Sequence, residues 1–359
     1  MSDMLVKHDL LAILAKKLFE AGGLTSENAS IISNDLVAAN LRGLDSHGVS
    51  RIPMYLERIR KGVVNPNPNI TFTQITTAVG LVDGDNGMGF LAGHRAMNEA
   101  IMLAENSGIG MVGVRRSTHY GMAALYVLQA LDQGYISMAY TNSSPALPVY
   151  GGRNAFLGAS PFAAGFPSGN ESPYVLDMAM TIIARGKIRL AAAHGEEIPL
   201  GLALDANGAP TTNAQNAFKG VCLPFGGTKG AAMAMLMDLF AGVFTGANYG
   251  GDVKSLYFDH SEPQNVGHIF IAIRPDLFVT KEEYEQRMDT FVKRAKSCPL
   301  AEGFDDIQIP GEPEEKVVKV RRESGIPLSK KIYETLKKEA EHYHIDLSDF
   351  EKEFSFTSK

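Results

Sequence analysis

From residue 76 onward, short runs of strand-forming residues alternate with longer stretches of helical periodicity. That alternation constrains the fold more than any other feature, because it calls for an α/β body. Strands are expected at 78–82, 110–114 and 136–140, with helices at 87–105 and 121–133 between them. Further strands are expected over 155–166, 174–178 and 268–273. Ahead of this region, Leu10, Leu11, Leu14, Ala15 and Leu18 recur at helical spacing, and Gly22-Gly23 stops that helix. Thr25 or Ser26 can cap a second helix, and a third is expected from 51 to 61. Asn65-Pro66-Asn67-Pro68 is a loop, and the tail is charged and helical over 281–297 and 329–343. A division follows: a helical unit of 1–75 joined by 300–359, and an α/β region of 76–299. The most apolar stretch, 230–247, is broken by Asp238 and too short to span a bilayer, so it reads as a buried helix.

Composition enters as a set of exclusions. With 34 basic and 40 acidic side chains the net charge is -6, which argues against nucleic acid or an anionic membrane as partner. Two cysteines cannot frame a disulfide scaffold, so a reducing compartment, the cytoplasm, is expected. The opening Met-Ser-Asp-Met-Leu-Val-Lys carries charges and does not read as a secretory signal. Thirty-six glycines point to many tight turns or close backbone approaches, as a ligand-binding enzyme would need.

Gly87-Met88-Gly89-Phe90-Leu91-Ala92 follows a strand and opens a helix, the pattern of a dinucleotide-binding loop. Such a loop also wants an acidic residue at the end of the next strand, where this chain has Arg115-Arg116, so the glycines read as structural. No nucleophile elbow, phosphate-binding P-loop or HExxH zinc motif is present. His342 and His344 are spaced like a metal pair but sit in a charged terminal helix and read as a solvated face, so no metal site is expected.

Two histidine segments carry more chemistry. Ser46-His47-Gly48-Val49-Ser50-Arg51 puts a hydroxyl, an imidazole and a guanidinium within six residues. Arginine grips a carboxylate bidentately, and histidine moves a proton near neutral pH. The same residues also read as a helix cap with a packed turn histidine, and spacing does not separate the two. Ser117-Thr118-His119-Tyr120-Gly121 follows a strand, where α/β folds place ligands, though a capping hydroxyl beside an incidental histidine has the same pattern. An anion-friendly group comprises Thr141 to Ser144, Asp177-Met178-Ala179, Arg185-Gly186-Lys187, and Lys229 at the start of the apolar helix, whose free N–H groups attract phosphate.

In order along the chain, Asp45-Ser46-His47-Gly48-Val49-Ser50-Arg51, Ser117-Thr118-His119-Tyr120-Gly121, Leu176-Asp177-Met178-Ala179, Ala184-Arg185-Gly186-Lys187-Ile188 and Gly226-Gly227-Thr228-Lys229-Gly230 resemble the motifs of the malate/L-lactate dehydrogenase family. This non-Rossmann group also holds ureidoglycolate and sulfolactate dehydrogenases, diketogulonate reductase and piperideine-carboxylate reductase. The resemblance runs from about residue 5 to about 345. It implies an α/β fold with a non-Rossmann, NAD(P)-binding mixed sheet of sulfolactate dehydrogenase type and a helical N- and C-terminal region. It implies NAD or NADP as cofactor, and a homodimer whose partner chain helps close the active site. Catalytic roles are implied for Ser46, His47 and His119, either histidine being the acid/base, and for Arg51 as the carboxylate grip. Cofactor contacts are implied at Ser143, Asp177, Met178, Ala179, Lys187, Thr228, Lys229, Gly311, Glu312 and Pro313. Two departures fall on the cofactor's outer half: Gly158-Ala159-Ser160-Pro161 stands where Gly-Thr-Asn-Pro is usual, and Thr228 precedes Lys229 where an aromatic residue is common.

The expected reaction is hydride transfer between nicotinamide and a small 2-hydroxy/2-oxo acid, with malate or lactate first. The alternatives are reduction of a cyclic imino acid and a cofactor-binding sensor without turnover. Arg115, Arg116 and Tyr120 are candidates for reading a second anionic group on the substrate.

Overall fold

The structure, a computed structural model, describes residues 4–352 and 355–356. Its centre is a seven-stranded sheet: β1 (Thr71–Gln74), β2 (Val79–Asp83), β3 (Ile109–Ser117), β4 (Ile136–Thr141), β5 (Phe162–Phe166), β6 (Tyr174–Met178) and β7 (Val266–Ile273). Their order in space is β1-β2-β3-β7-β4-β5-β6. Only β2 and β3 run parallel; every other pairing is antiparallel. The late strand β7 inserts between β3 and β4, a mixed topology unlike the all-parallel dinucleotide fold.

The helices are α1 (His8–Ala21), α2 (Ser26–Leu41), α3 (Ile52–Arg60), α4 (Gly89–Ser107), α5 (Ala124–Leu131), α6 (Arg185–His194), α7 (Ala214–Lys219), α8 (Thr228–Asp238), α9 (Lys281–Lys296), α10 (Glu312–Ser324) and α11 (Lys330–His342). The apolar spacing of α1 buries Leu11, Leu14, Ala15, Leu18 and Phe19, and Thr25 caps α2 by accepting the Asn28 N–H. Strand Met4–Val6 pairs with Ile326–Leu328 and Ser355–Phe356, tying the two ends of the chain together. One apolar core joins α1 and α2, the inner faces of α4 and α5, the sheet and Tyr333 and Leu336 of α11. A second, smaller core lies between Leu147 and Met237.

Three expectations are corrected. The 230–247 stretch is a helix only to Asp238, continues as a π-turn over Leu239–Val243, and is not wholly buried. One flank packs so closely that a Cβ at Gly267 would sit 1.7 Å from the Ala241 carbonyl oxygen. The other flank exposes Met235, Leu236, Leu239, Val243 and Phe244. Asp238 breaks the apolar run because its carboxylate accepts from Gly250 N–H (2.7 Å) and Asn142 Nδ2 (3.3 Å). Second, the expected strand at 155–166 is two pieces, Leu157–Gly158 and β5, parted where Ser160 adopts φ +37°. Third, the helix expected from 121 begins at Ala124, because Gly121 turns the chain at φ +80°. Helices α6, α7 and α10 and strand β1 went unread. Among the described residues no helix is long and apolar enough to cross a membrane.

His268, in the central strand β7, is fully buried between neighbours on both sides: Ser117 Oγ lies 2.8 Å from Nε2 and Thr141 Oγ1 2.7 Å from Nδ1. Burial brings its pKa down to about 3 from 6.5. The unfolded chain therefore binds a proton between these values that the folded chain refuses. Stability from this residue is complete above pH 6.5 and is lost as pH falls, at about 1.4 kcal/mol per pH unit. Urea unfolding at pH 7 and pH 5 should show the loss between them shrinking by about 2 kcal/mol in His268→Gln. An unchanged difference in the variant would mean that His268 is not held neutral.

Candidate active site

The turn after α2 is built by Asn40. Its Nδ2 donates to Asp45 Oδ1 (2.6 Å) and its Oδ1 accepts the Val49 N–H (2.9 Å). Arg321 of α10 clamps both Asp45 oxygens at 2.7 and 3.0 Å. A Cβ at Gly48 would lie 2.0 Å from Asn40 Oδ1, so glycine alone fits there. The result is a fixed pair of 3-10 turns, Asp45–His47 and Val49–Arg51, that present Ser46, His47 and Arg51. Ser46 Oγ lies 3.0 Å from His47 Nδ1.

Arg51, the N-cap of α3 with helical backbone angles, and Tyr55 and Arg58 within it stand at intervals of four and three residues, on one face. Arg51 Nε donates to the Ser46 carbonyl (2.5 Å), and its Nη1 donates to the Tyr257 hydroxyl. The Tyr55 hydroxyl meets His119 Nδ1 at 2.7 Å. Arg58, 1 % exposed, directs Nη1 at the carbonyls of Ser255, Leu256 and Asp259 (3.2, 3.4 and 3.1 Å), which fixes the loop carrying Tyr257.

His119 follows β3, and its Nδ1 also accepts the Gly121 N–H at 3.2 Å. The His47 and His119 rings stack with centroids 5.8 Å apart. Burial, then the charge of Arg51 and the neighbouring His47 and His268, holds His119 well below the usual histidine range. Burial and Arg51 bring His47 down to about 4. Burial, with Arg189 of α6 nearby, also lowers Arg51. Near neutral pH the cluster is thus two neutral imidazoles beside one guanidinium. It can hold a carboxylate and exchange a proton with an oxygen next to it.

The residues expected to hold a cofactor fall into groups. Asp177, Gly311 and Pro313 line one cavity of about 160 Å³ together with Arg42 and Glu314. Gly311 is required there: its φ is +101°, and a Cβ would meet Val175 Cβ at 2.8 Å. Glu312 turns away from that cavity, bound to Lys296 (2.5 Å) and to the Ile309 N–H (3.0 Å). Ser143 Oγ accepts from the Ser160 N–H (3.3 Å), and the Ser160 hydroxyl is buried without a partner. Met178 ends β6 half-buried, and Ala179 is exposed beyond it. Lys187 in the first turn of α6, and Thr228 and Lys229 at the start of α8, are exposed and line no part of the cavity. The α8 N-terminus has no side-chain cap, and the space beside Gly226 and Gly227 is open. Orphaned polar atoms on Arg42 and Ser160, with an uncapped helix start beside Lys229, fit a long ligand that presents acceptors along its length.

The rejected dinucleotide loop has a physical explanation. The β2–α4–β3 segment is a parallel βαβ unit, but its helix entry is filled by protein. Thr118 Oγ1 accepts the Gly89 N–H (3.0 Å), and a Cβ at Gly89 would lie 2.2 Å from the Thr118 carbonyl oxygen. The expectation that Arg115, Arg116 and Tyr120 read a second anion is corrected. Arg116 is committed to Asp83 (3.0 Å) and Asp85 (2.9 Å), and Arg115 leans on Asp83 at 3.9 Å. Tyr120 is buried, stacked on His268 with centroids 4.6 Å apart. Sequence reasoning missed Tyr55, Arg58, Tyr257 and His268. The i+4 and i+7 spacing from Arg51 could have flagged the first two.

Residues 6–337 match the family described as malate/L-lactate dehydrogenase. The malate/(S)-sulfolactate dehydrogenase of Methanothermus fervidus is 38% identical over 332 residues, 92% of this chain and 96% of that protein. The ureidoglycolate dehydrogenase (NAD(+)) of Escherichia coli is 31% identical over 92% of this chain and 94% of its own length. The solved sulfolactate dehydrogenase from Methanocaldococcus jannaschii superimposes with a TM-score of 0.90 at 36% identity, covering 96% of this chain and 99% of that one. With its fold, its ordered motifs and nearly its whole length in agreement, the chain belongs to the malate/L-lactate dehydrogenase family.

Proposed function

We propose that the protein is an NAD- or NADP-dependent dehydrogenase of a small 2-hydroxy acid, with malate or lactate the first substrates to try. The observation that carries the reading is the convergence of Arg51, His119 and His47, with Tyr55 holding His119 from the same helical face as Arg51. Relatives named for malate, sulfolactate and ureidoglycolate share a carboxylate next to the reacting carbon, which is the group Arg51 would hold. Relatives named for NAD(+) and for NADP(+) both occur. A nicotinamide dinucleotide held by Ser143, Asp177, Met178, Ala179, Lys187, Thr228, Lys229 and the 311–313 segment would exchange hydride with the substrate's second carbon. In this reading the unit of 1–75 with 300–359 supplies Ser46, His47, Arg51 and that segment, and the region of 76–299 supplies His119 and the other contacts. A cytoplasmic setting accords with two free cysteines, Cys222 and Cys298.

His119 is the acid/base, because it alone of the pair has a buried partner that suits both charge states. The Tyr55 hydroxyl can donate to a bare Nδ1 or accept from Nδ1–H, whereas the Gly121 N–H can only donate and so joins burial in favouring the bare Nδ1 until the substrate arrives. A substrate carboxylate on Arg51 would cancel the positive charge that, after burial, most depresses His119. The histidine would then take up a proton as the anion arrives and deliver it to the carbonyl oxygen. His47, held only by Ser46, supports the site from the stacked position.

Decay of reduced-cofactor absorbance with NADH or NADPH, across a panel of 2-oxo acids and cyclic imino acids, tests the reaction. Turnover is expected with 2-oxo acids. Cyclic imino acids alone would favour an imine reductase, and no turnover with tight cofactor binding would favour a sensor. His119→Ala should lose roughly 100- to 10,000-fold in turnover with cofactor affinity kept. Arg51→Lys should act mainly on KM for the acid. Near wild-type rates in His119→Ala would refute the proposed role.

The homodimer belongs to the same proposal. Met235, Leu239 and Val243 form an i, i+4, i+8 stripe flanked by Leu236 and Phe244, and Leu239 is 49% exposed. A stripe of this kind suits burial against a second copy. Sedimentation should give a dimer for the native chain and a shift toward monomer for Leu239→Arg; a native monomer would end this part of the reading.

A further inference from the structure

The cavity at the start of α10 holds an arginine that the motifs do not single out. Arg42 is 6 % exposed and donates through Nη1 to Glu315 at 2.6 Å, while its buried Nε finds no partner. Opposite, Asp177 Oδ2 accepts the N–H of Ala124 at the start of α5 (2.8 Å). Glu314 lines the same cavity. The local charge is therefore one guanidinium, already paired with Glu315, against two further carboxylates. A pyrophosphate or a substrate carboxylate would be repelled there. A cationic ring bearing a primary amide would be held, because the amide carbonyl needs a donor and its NH2 needs an acceptor.

The position of the cavity agrees. Ala124 lies three residues after Gly121, whose N–H holds His119 Nδ1, so Asp177 is anchored to the same turn as His119. Only the nicotinamide end of a dinucleotide must lie beside the acid/base. Burial pushes the Asp177 carboxyl up to about 6 against the pull of the Ala124 N–H and Arg42, with Glu314 adding to the rise. A positive ring beside it would relieve that cost.

Resting on the dehydrogenase reading, we infer that Arg42 and Asp177 bracket the carboxamide of the nicotinamide, with the Arg42 guanidinium donating to its carbonyl and Asp177 accepting from its NH2. Arg42 is then a binding residue for the reactive end of the cofactor, and Asp177 favours its oxidised, cationic form.

The test is binding, read by calorimetry with whichever dinucleotide pair the enzyme turns over. The probes are the oxidised form, the reduced form and the matching ADP-ribose, which lacks the nicotinamide. Arg42→Met should weaken the reduced dinucleotide by about 10- to 100-fold, the scale of one hydrogen bond from a charged donor, and leave ADP-ribose unchanged. Arg42→Lys keeps a cation for Glu315 but has no second guanidinium donor for the carboxamide, so it should show the same selective loss in a fully folded chain. Asp177→Asn should weaken the oxidised form more than the reduced one. Equal losses for ADP-ribose and dinucleotide in a folded Arg42 variant, or no loss for either, would overturn the inference. A native protein that binds no dinucleotide and no ADP-ribose would instead overturn the dehydrogenase reading on which it rests.

Discussion

One face of one short helix holds the site together. Arg51 at the N-cap of α3, and Tyr55 and Arg58 within it, reach the Ser46 carbonyl, the His119 ring and the 255–259 loop. These three segments come from distant parts of the sequence. A helix sets the spacing of its side chains more rigidly than a loop can, so the imidazole, the guanidinium and the loop are placed relative to one another by a single element. Arg58 matters most here. A buried guanidinium is costly, and this one spends Nη1 on three backbone carbonyls while its Nε and Nη2 stay buried without a partner. Loss of that residue would free three carbonyls of the loop and leave Tyr257 to its contact with Arg51.

The sheet explains why the familiar dinucleotide-binding entry is closed in this fold. A parallel βαβ unit with a glycine-rich helix entry is present, yet Thr118 occupies the entry with its hydroxyl and its carbonyl. That same peptide leads directly into His119. The chain thus uses this helix N-terminus to fix the 118–121 loop, whereas the start of α8 is exposed and has no side-chain cap. Insertion of β7 between β3 and β4 brings His268 under that loop, where Tyr120 stacks on it.

Much of this was legible in the residues. Apolar periodicity marked α1 and α2, and short strand-forming runs between longer helical stretches marked β2, β3, β4 and β6. The grouping of Ser46, His47 and Arg51 was visible because a turn keeps near neighbours together. Tyr257 was not, since nothing local in a sequence reports a contact across 206 residues. Helices α6 and α10 were missed because they bury little: Ile188 and Ala192 in one, and Glu312 in the other. The 230–247 stretch misled in the opposite way. Hydrophobicity says that a surface will be covered, not that the same chain covers it. Arg116 had the right charge for an anion site, but only the fold could reveal that Asp83 and Asp85 had claimed it.

The ring stack behind the site has an optical consequence. The chain has no Trp. Its near-ultraviolet circular dichroism therefore rests mainly on tyrosines fixed in asymmetric surroundings. Tyr126 and Tyr120 are both buried, with ring centroids 4.9 Å apart, and Tyr120 lies parallel to His268 within 1°. His94 extends the row at 5.2 Å from Tyr126. Tyr120, one peptide from His119, and Tyr126 in α5 thus contribute to the tyrosine band, so part of its intensity follows the order of the 118–121 loop. A state that kept its helices but loosened this stack would lose the near-ultraviolet signal while the far-ultraviolet spectrum stayed intact.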